Sequence, residues 1–436
     1  MATRDAALAA RPTLRAWIDE YAAIERDCLD ALAREGIDLA AVGRFDAETA
    51  AVKRRLRAKG AAFRNGEASI VVGPLSPACA ACSTGLGSKT FVLSMRCNRD
   101  CYFCFNVNQG DGAACDGFND AWRAEVDAFA ARCDEVTHVG LSGGEPLLFG
   151  EESVAFVRHV RSEHPDAHVR IYTAGDFLDE AILSALCDAG LDELRMSVKL
   201  DVRDACDSAR VEAMLDEPLR KLALAQRFVP AVMVEMPAIP GTGDAMRELL
   251  ARLDDQGVFG INLLEFGYPM SDWEAFRARG FEVRNPPYVV AYDYAYPAGL
   301  PIDGSEFLCL ELLEYALDEG LSLGVHYCSL ENKNRGQVFR QNAEVPLDPM
   351  LYKLDEEDFF YKTLKVFDGD VAVVRERFEA LGASFAIDAG DGSLQCHPDR
   401  LEDVADLDVL PTLSYNVVER TARGCSLREL KLETTR

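Results

Sequence analysis

Leu14, Trp17, Ile18, Tyr21 and Ile24 recur at helical spacing, and Gly36 supplies a stop, so the first 70 residues read as a helical N-terminal extension. From about residue 88 to 265 the pattern changes. Short apolar runs at 90–95, 137–141, 169–173, 193–198, 231–236 and 261–265 alternate with helical stretches at 122–132, 153–163, 178–189 and 245–253. That alternation predicts six successive βα units around a parallel sheet. Right-handed connections curl such a sheet into a partial (β/α)6 TIM-like barrel.

Residues 266–350 are less regular, with Pro269, Pro286, Pro287, Pro297 and Pro301 marking loops before a helix at 306–319 and a short strand at 323–327. The last 85 residues are easier to read: strand 360–367, helix 370–381, a hairpin of 384–388 and 393–396, helix 398–404 and strand 413–420. This order, βαββαβ, predicts a C-terminal ferredoxin-like domain. The expected division is therefore a helical extension (1–70), a Cys-containing segment (71–87), the barrel (88–265), a post-barrel segment (266–350) and a small α+β domain (351–436).

Composition changes the picture in two ways. The 436 residues carry a formal net charge of -27, which argues against nucleic acid as a partner, because such binding relies on Lys and Arg neutralising phosphates. No stretch approaches 18 consecutive apolar residues, and 1–20 lack an apolar signal core, so the expectation is a soluble, cytoplasmic protein that does not engage a membrane. The 14 cysteines then read as metal ligands or buried thiols rather than disulfides. Cys79, Cys82, Cys97, Cys101 and Cys104 fall within 26 residues, and that clustering asks for a metal.

Cys97, Cys101 and Cys104 have the spacing C-x3-C-x2-C directly after the first barrel strand. Three thiolates from one tight loop can take three corners of a [4Fe-4S] cube and leave one iron open, although a zinc loop fits the same spacing. One βα unit later comes the turn Gly143, Gly144, Glu145, Pro146, also at the carboxyl end of the sheet, where barrel enzymes place their sites. Its glycines let a ligand approach the backbone, and Glu145 can accept hydrogen bonds from an ammonium group.

On these residues the segment 88–265 resembles the radical S-adenosylmethionine superfamily, and in particular an uncharacterised group related to pyruvate formate-lyase activating enzymes. The resemblance implies a [4Fe-4S] cluster on Cys97, Cys101 and Cys104 and S-adenosylmethionine bound at the open iron. Reductive cleavage would then give a 5'-deoxyadenosyl radical that abstracts hydrogen from a substrate. It also implies that Phe103 packs by the adenine, that Gly143, Gly144, Glu145 and Pro146 meet the methionine amino group, and that Lys199 pairs with the cofactor carboxylate while Ser197 reaches the ribose. Thr173 resembles the family's Thr-Asn-Gly turn, with Ala174 replacing the Asn. A reduced flavodoxin or ferredoxin is the implied electron donor.

Cys79 and Cys82 form a C-x2-C pair that reads as a metal half-site, with Cys328 completing it and Cys309 or His326 as a fourth ligand. A second [4Fe-4S] cluster and a zinc ion both fit; the alternative is a set of buried thiols. The same resembling group carries a C-x2-C upstream of its cluster loop and a late His-Tyr-Cys-Ser segment, here 326–329. Two appended domains favour a peptide or protein substrate, which a sheet edge of the C-terminal domain can recognise. The alternatives are a small-metabolite substrate, or a non-catalytic iron-sulfur or zinc scaffold or electron carrier.

Overall fold

Strands that bury side chains on both faces, such as Ala231–Ala238 with its run Val232, Met233 and Val234, belong in a parallel sheet covered by helices. The computed structural model describes residues 7–104, 117–201, 208–269, 273–288, 290, 299–421 and 424–435. These fall into two compact units, one of Asp38–Pro287 with Ala295–Asn334, the other of Met1–Ile37, Tyr288–Tyr294 and Arg335–Arg436. Pro297 lies outside the described residues.

In the larger unit the strands are β1 (Ala62–Arg64), β2 (Ser69–Val72), β3 (Ser88–Val92), β4 (His138–Ser142), β5 (His168–Thr173), β6 (Glu193–Met196), β7 (Ala231–Ala238), β8 (Gly260–Glu265), β9 (Gly267–Tyr268), β10 (Leu300–Pro301) and β11 (Gly324–Cys328). Strands β3 to β8 pair in chain order, each parallel to the next, as the six βα units predict. The sheet then runs further than the sequence reading took it. β11 adds a seventh parallel strand beside β8, and β2 pairs antiparallel with β11, giving the order β1-β2-β11-β8-β7-β6-β5-β4-β3.

The helices turn one apolar face to this sheet. In Gly243–Asp255 the buried residues Ala245, Met246, Leu249, Leu250 and Leu253 follow the 3.6-residue period, and each fully buried Leu contributes about 1.5–3 kcal/mol. The helix Glu180–Ala189 starts where the Asp179 carboxylate accepts the Ile182 N–H at 2.8 Å. It ends at Gly190, whose φ of 90° closes the last turn. A single core runs from Phe91 through Ile171, Leu194, Val234 and Ile261 to Val325.

The smaller unit carries β12 (Lys353–Leu354), β13 (Tyr361–Val366), β14 (Ala386–Ile387), β15 (Leu394–Cys396), β16 (Thr412–Thr421) and β17 (Gly424–Thr434). Its order β14-β15-β13-β16, all neighbours antiparallel and with the helix Asp370–Leu381 after β13, is the ferredoxin-like plait. The 398–404 helix is a 3-10 helix, Pro398–Val404. β17 is an added edge strand that sequence reading did not find. The N-terminal helix Pro12–Arg34 packs on this unit: Leu14 shares a core with Phe367, Leu410 and Leu432, and the Tyr21 hydroxyl donates to Glu429 at 2.7 Å.

Candidate active site

The chain leaves β3 and runs past Ser94 and Arg96 into the Cys97–Cys104 loop. The turn after β4 lies directly against it: the Gly144 N–H donates to the Ser94 carbonyl and the Glu145 N–H to the Arg96 carbonyl, both at 2.9 Å. A Cβ on Gly144 would stand 2.1 Å from the Arg96 oxygen, and Gly143 has a φ of 111° with its Cβ position 2.5 Å from the Ser94 oxygen. Both glycines therefore admit the backbone of the cysteine loop.

Within the loop the Cys104 N–H donates to the Cys101 carbonyl at 2.9 Å, and the Arg99 N–H points to the Cys97 sulfur at 3.4 Å. Two carboxylates fasten it. Asp176, three residues past β5, accepts the Asn98 amide at 2.7 Å and the Arg99 Nε–H at 2.6 Å, and the Arg99 pair holds its carboxyl below the usual range. Asp201 accepts the Tyr102 hydroxyl at 2.9 Å, and Arg279 lies over the Tyr102 ring at 3.7 Å. Neither acid carried a signal in the sequence beyond its place after a strand.

Among the described residues no group of three or more His, Cys, Asp or Glu side chains stands, as placed, in a metal-holding arrangement. The cysteine loop nonetheless has the donor set an iron-sulfur cluster takes. Burial raises the Cys101 pKa, Lys199 opposes this, and the thiols of Cys104 and Cys97 raise it further, so both lie within electrostatic reach of Cys101.

Glu145 is 1% exposed. It accepts the Leu147 N–H at 3.0 Å, the Thr173 hydroxyl at 2.8 Å and the Ala174 N–H at 2.7 Å, while Thr173 accepts the Gly175 N–H at 2.9 Å. Burial raises its pKa despite these donors. In this arrangement Glu145 and Thr173 brace the β4 turn against the end of β5. Pro146 opens the short 3-10 helix Pro146–Phe149, and its carbonyl accepts the Ser153 hydroxyl at 2.8 Å.

β6 ends at Met196, so Ser197 and Lys199 lie just beyond it. They remain partly open while Val198 and Leu200 are buried, and the Lys199 ammonium donates to the Ser197 hydroxyl at 2.7 Å. The Lys199 nitrogen is 6.0 Å from the centroid of the Phe103 ring. Cys101, Phe103, Ser197 and Lys199 thus gather at one end of the sheet. A cavity of about 530 Å³ opens in the same unit beside Pro240, Gly241 and Arg247, and its wall includes Arg279.

The sheet strands also carry an extensive buried polar network. Arg195 donates to Glu193 at 2.5 Å, Glu235 at 2.7 Å, Ser76 at 3.1 Å and the Cys79 sulfur at 3.3 Å. Asn262 donates to Glu235 at 2.7 Å and to the Cys79 sulfur at 3.3 Å. The Cys328 sulfur accepts the Asn332 amide at 3.3 Å. His326 has both ring nitrogens engaged, with Ser69 and Asn262 at 2.9 Å each, and burial followed by the Arg195 charge lowers its pKa to about 3. Cys309 sits in the apolar core. The sequence did hold a signal for this network: charged residues at every second position of strands, in Arg170 with Tyr172 and Glu193 with Arg195, where a parallel sheet calls for apolar ones.

Residues 91–253 match the profile of the Radical SAM superfamily. A protein of Methanocaldococcus jannaschii, provisionally named a glycyl-radical enzyme activating enzyme, is 23% identical over 76% of this chain and 84% of its own length. A lipoyl synthase of Symbiobacterium thermophilum is 27% identical over 51% of this chain and 68% of its own. Among solved structures, Streptococcus suis SuiB bound to the precursor peptide SuiA aligns with a TM-score of 0.38 and 12% identity, covering 59% of this chain and 52% of SuiB. The chain spans about half the length of the solved structures it matches. No helix among the described residues is long and apolar enough to cross a membrane. Residues 91–253 thus form a radical SAM domain, the domain of an enzyme superfamily, and the chain resembles the activating enzymes of glycyl-radical proteins.

Proposed function

We propose that the chain cleaves S-adenosylmethionine reductively and uses the resulting radical on a peptide or protein. When bound, a [4Fe-4S] cluster and S-adenosylmethionine supply an electron and a 5'-deoxyadenosyl radical that takes hydrogen from the substrate. Cys97, Cys101 and Cys104 hold the cluster, and Asp176 and Asp201 keep their loop in place. Gly143, Gly144 and Pro146 shape the turn beside the methionine amino group, with Glu145 and Thr173 holding that turn at the end of β5. Lys199 pairs with the cofactor carboxylate, Ser197 orients Lys199 and reaches the ribose, and Phe103 packs by the adenine. The observation that carries this reading is the docking of Gly143 and Gly144 on the backbone of the cysteine loop, closer than any Cβ allows.

A protein substrate is supported by the M. jannaschii relative, whose name makes it an activator of another enzyme. It is supported too by β17, the last strand of its sheet among the described residues, since a sheet edge suits pairing with an extended chain. A reduced flavodoxin or ferredoxin serves as electron donor. The test is anaerobic reconstitution with dithionite and S-adenosylmethionine, followed by assay for 5'-deoxyadenosine. Formation by the wild type and loss in Cys97→Ala is expected; a cluster-replete protein that forms none overturns the proposal.

A further inference from the structure

We infer that Cys79, Cys82 and Cys328 form a second, anionic metal–thiolate centre for which Arg170 is the counter-ion. The starting observation is a buried donor without an acceptor. Arg170 is 7% exposed; its Nε–H donates to the Tyr172 hydroxyl at 3.0 Å and one Nη to the Thr90 hydroxyl at 3.3 Å. Its other terminal nitrogen, Nη1, is buried with no hydrogen-bond partner among the described residues. The nearby carboxylates are turned elsewhere, Glu193 to Arg195 and Ser76, and Glu235 to Arg195 and Asn262. A buried N–H left without an acceptor is costly, so an acceptor, best an anionic one, is expected beside Nη1.

The thiols are the groups that can supply that anion. Cys82, at the exposed edge of the group, lies within electrostatic reach of Arg170, Arg195 and Cys79, and the buried Cys328 within reach of both Cys79 and Cys82. The sulfurs are surrounded by donors: Arg195 and Asn262 both point N–H groups at Cys79, and Asn332 points one at Cys328. Three N–H donors aimed at two sulfurs are the arrangement that ligating sulfur takes in iron-sulfur and zinc sites.

Charge arithmetic selects the class of ligand. Arg170, Arg195 and Lys333 act on this cluster against the carboxylates of Glu193 and Glu235, a net charge of +1 that three free thiolates would far exceed. Binding a divalent zinc, or a cubane core of charge +2, releases the three thiol protons and leaves a net charge of -1, which balances those surroundings. Among the described residues neither sequence candidate is free to be a fourth ligand: His326 already uses both nitrogens on Ser69 and Asn262, and Cys309 belongs to the apolar core. The fourth position is left to a ligand from outside this set.

The test does not depend on radical chemistry, because the first site can be removed. The full chain carrying Cys97→Ala, Cys101→Ala and Cys104→Ala is purified anaerobically, and zinc, iron and acid-labile sulfide are counted. About one zinc per chain identifies a zinc centre, and about four irons with four sulfides a second cluster; either supports the inference if Cys79→Ser, Cys82→Ser and Cys328→Ser together reduce the metal at least tenfold. Arg170→Met is expected to weaken metal retention about tenfold or more and Arg170→Lys to restore part of it. A variant with the wild-type circular dichroism spectrum and less than a tenth of a metal per chain overturns the inference, as does metal that survives the three serine substitutions. Should the first-site variant not fold, the wild-type holoprotein decides: loss of about four irons or one zinc on the three serine substitutions supports the centre, and an unchanged metal count refutes it.

Discussion

Asp176 accepts the Arg99 Nε–H at 2.6 Å, tying the stretch between the first two cysteines of the radical SAM loop to the turn that follows β5. The same carboxylate holds Asn98, so one side chain fixes two of the three residues separating Cys97 from Cys101. Groups that orient metal ligands without touching the metal commonly alter affinity 10–100-fold. Asp176→Ala is accordingly expected to lower iron retention through desalting by about tenfold or more, with an unchanged far-ultraviolet spectrum. Iron retention equal to wild type would show that the clamp does not govern the loop.

Gly144→Ala tests the docking of the β4 turn. The new Cβ would stand 2.1 Å from the Arg96 carbonyl oxygen, so the turn and the cysteine loop must part. Overpacking of this kind costs about 1–3 kcal/mol. A lowered unfolding midpoint should accompany loss of S-adenosylmethionine cleavage; Gly369→Ala, at a negative φ and with nothing within 4 Å of the Cβ position, is the comparison for an added methyl group alone.

Glu145 makes a different demand. Removing its carboxylate leaves the N–H groups of Leu147 and Ala174 without partners, at about 1–3 kcal/mol for each buried donor. Glu145→Ala should therefore lower stability in urea titrations, whereas Glu145→Gln, which keeps acceptors, should lose less. Equal stability for the two variants would contradict the bracing role.

Much of this arrangement was legible in the chain. The six βα units followed from alternating apolar runs, and the positions of Cys97, Gly143, Thr173 and Ser197 after successive strands placed them at one end of the sheet. β11 was read as a strand but not as part of the barrel, because its neighbours β2 and β8 lie far from it in sequence. β17 escaped because Arg428, Glu429, Lys431 and Glu433 give it the charge pattern of a solvated tail; its apolar Leu432 packs with Leu14, Phe367 and Leu410, all distant in sequence. The orientation of Glu145 toward Thr173 depends on long-range contact that no local pattern encodes.

Glu314 provides a pH test of the larger unit. A hydrogen bond from Arg55 is the main cause that, against an opposing burial effect and with help from Lys59, lowers its carboxyl from the ordinary 4.5 to about 2. Because the folded pKa is depressed, the contribution is fully present above about pH 4.5 and is lost as the pH falls toward 2. Glu314→Gln should flatten the fall in melting temperature between about pH 5 and 3. A parallel fall in both proteins would rule the group out as a contributor.

The central claim is that Cys97, Cys101 and Cys104 hold a cluster with one iron open to S-adenosylmethionine. Electron paramagnetic resonance of the dithionite-reduced protein measures this most directly, in the variant carrying Cys79→Ser, Cys82→Ser and Cys328→Ser so that only the first site can respond. The account predicts a reduced [4Fe-4S] signal whose g values shift when S-adenosylmethionine is added, and no such signal after Cys101→Ala. A fully loaded cluster with a spectrum unchanged by S-adenosylmethionine would contradict it.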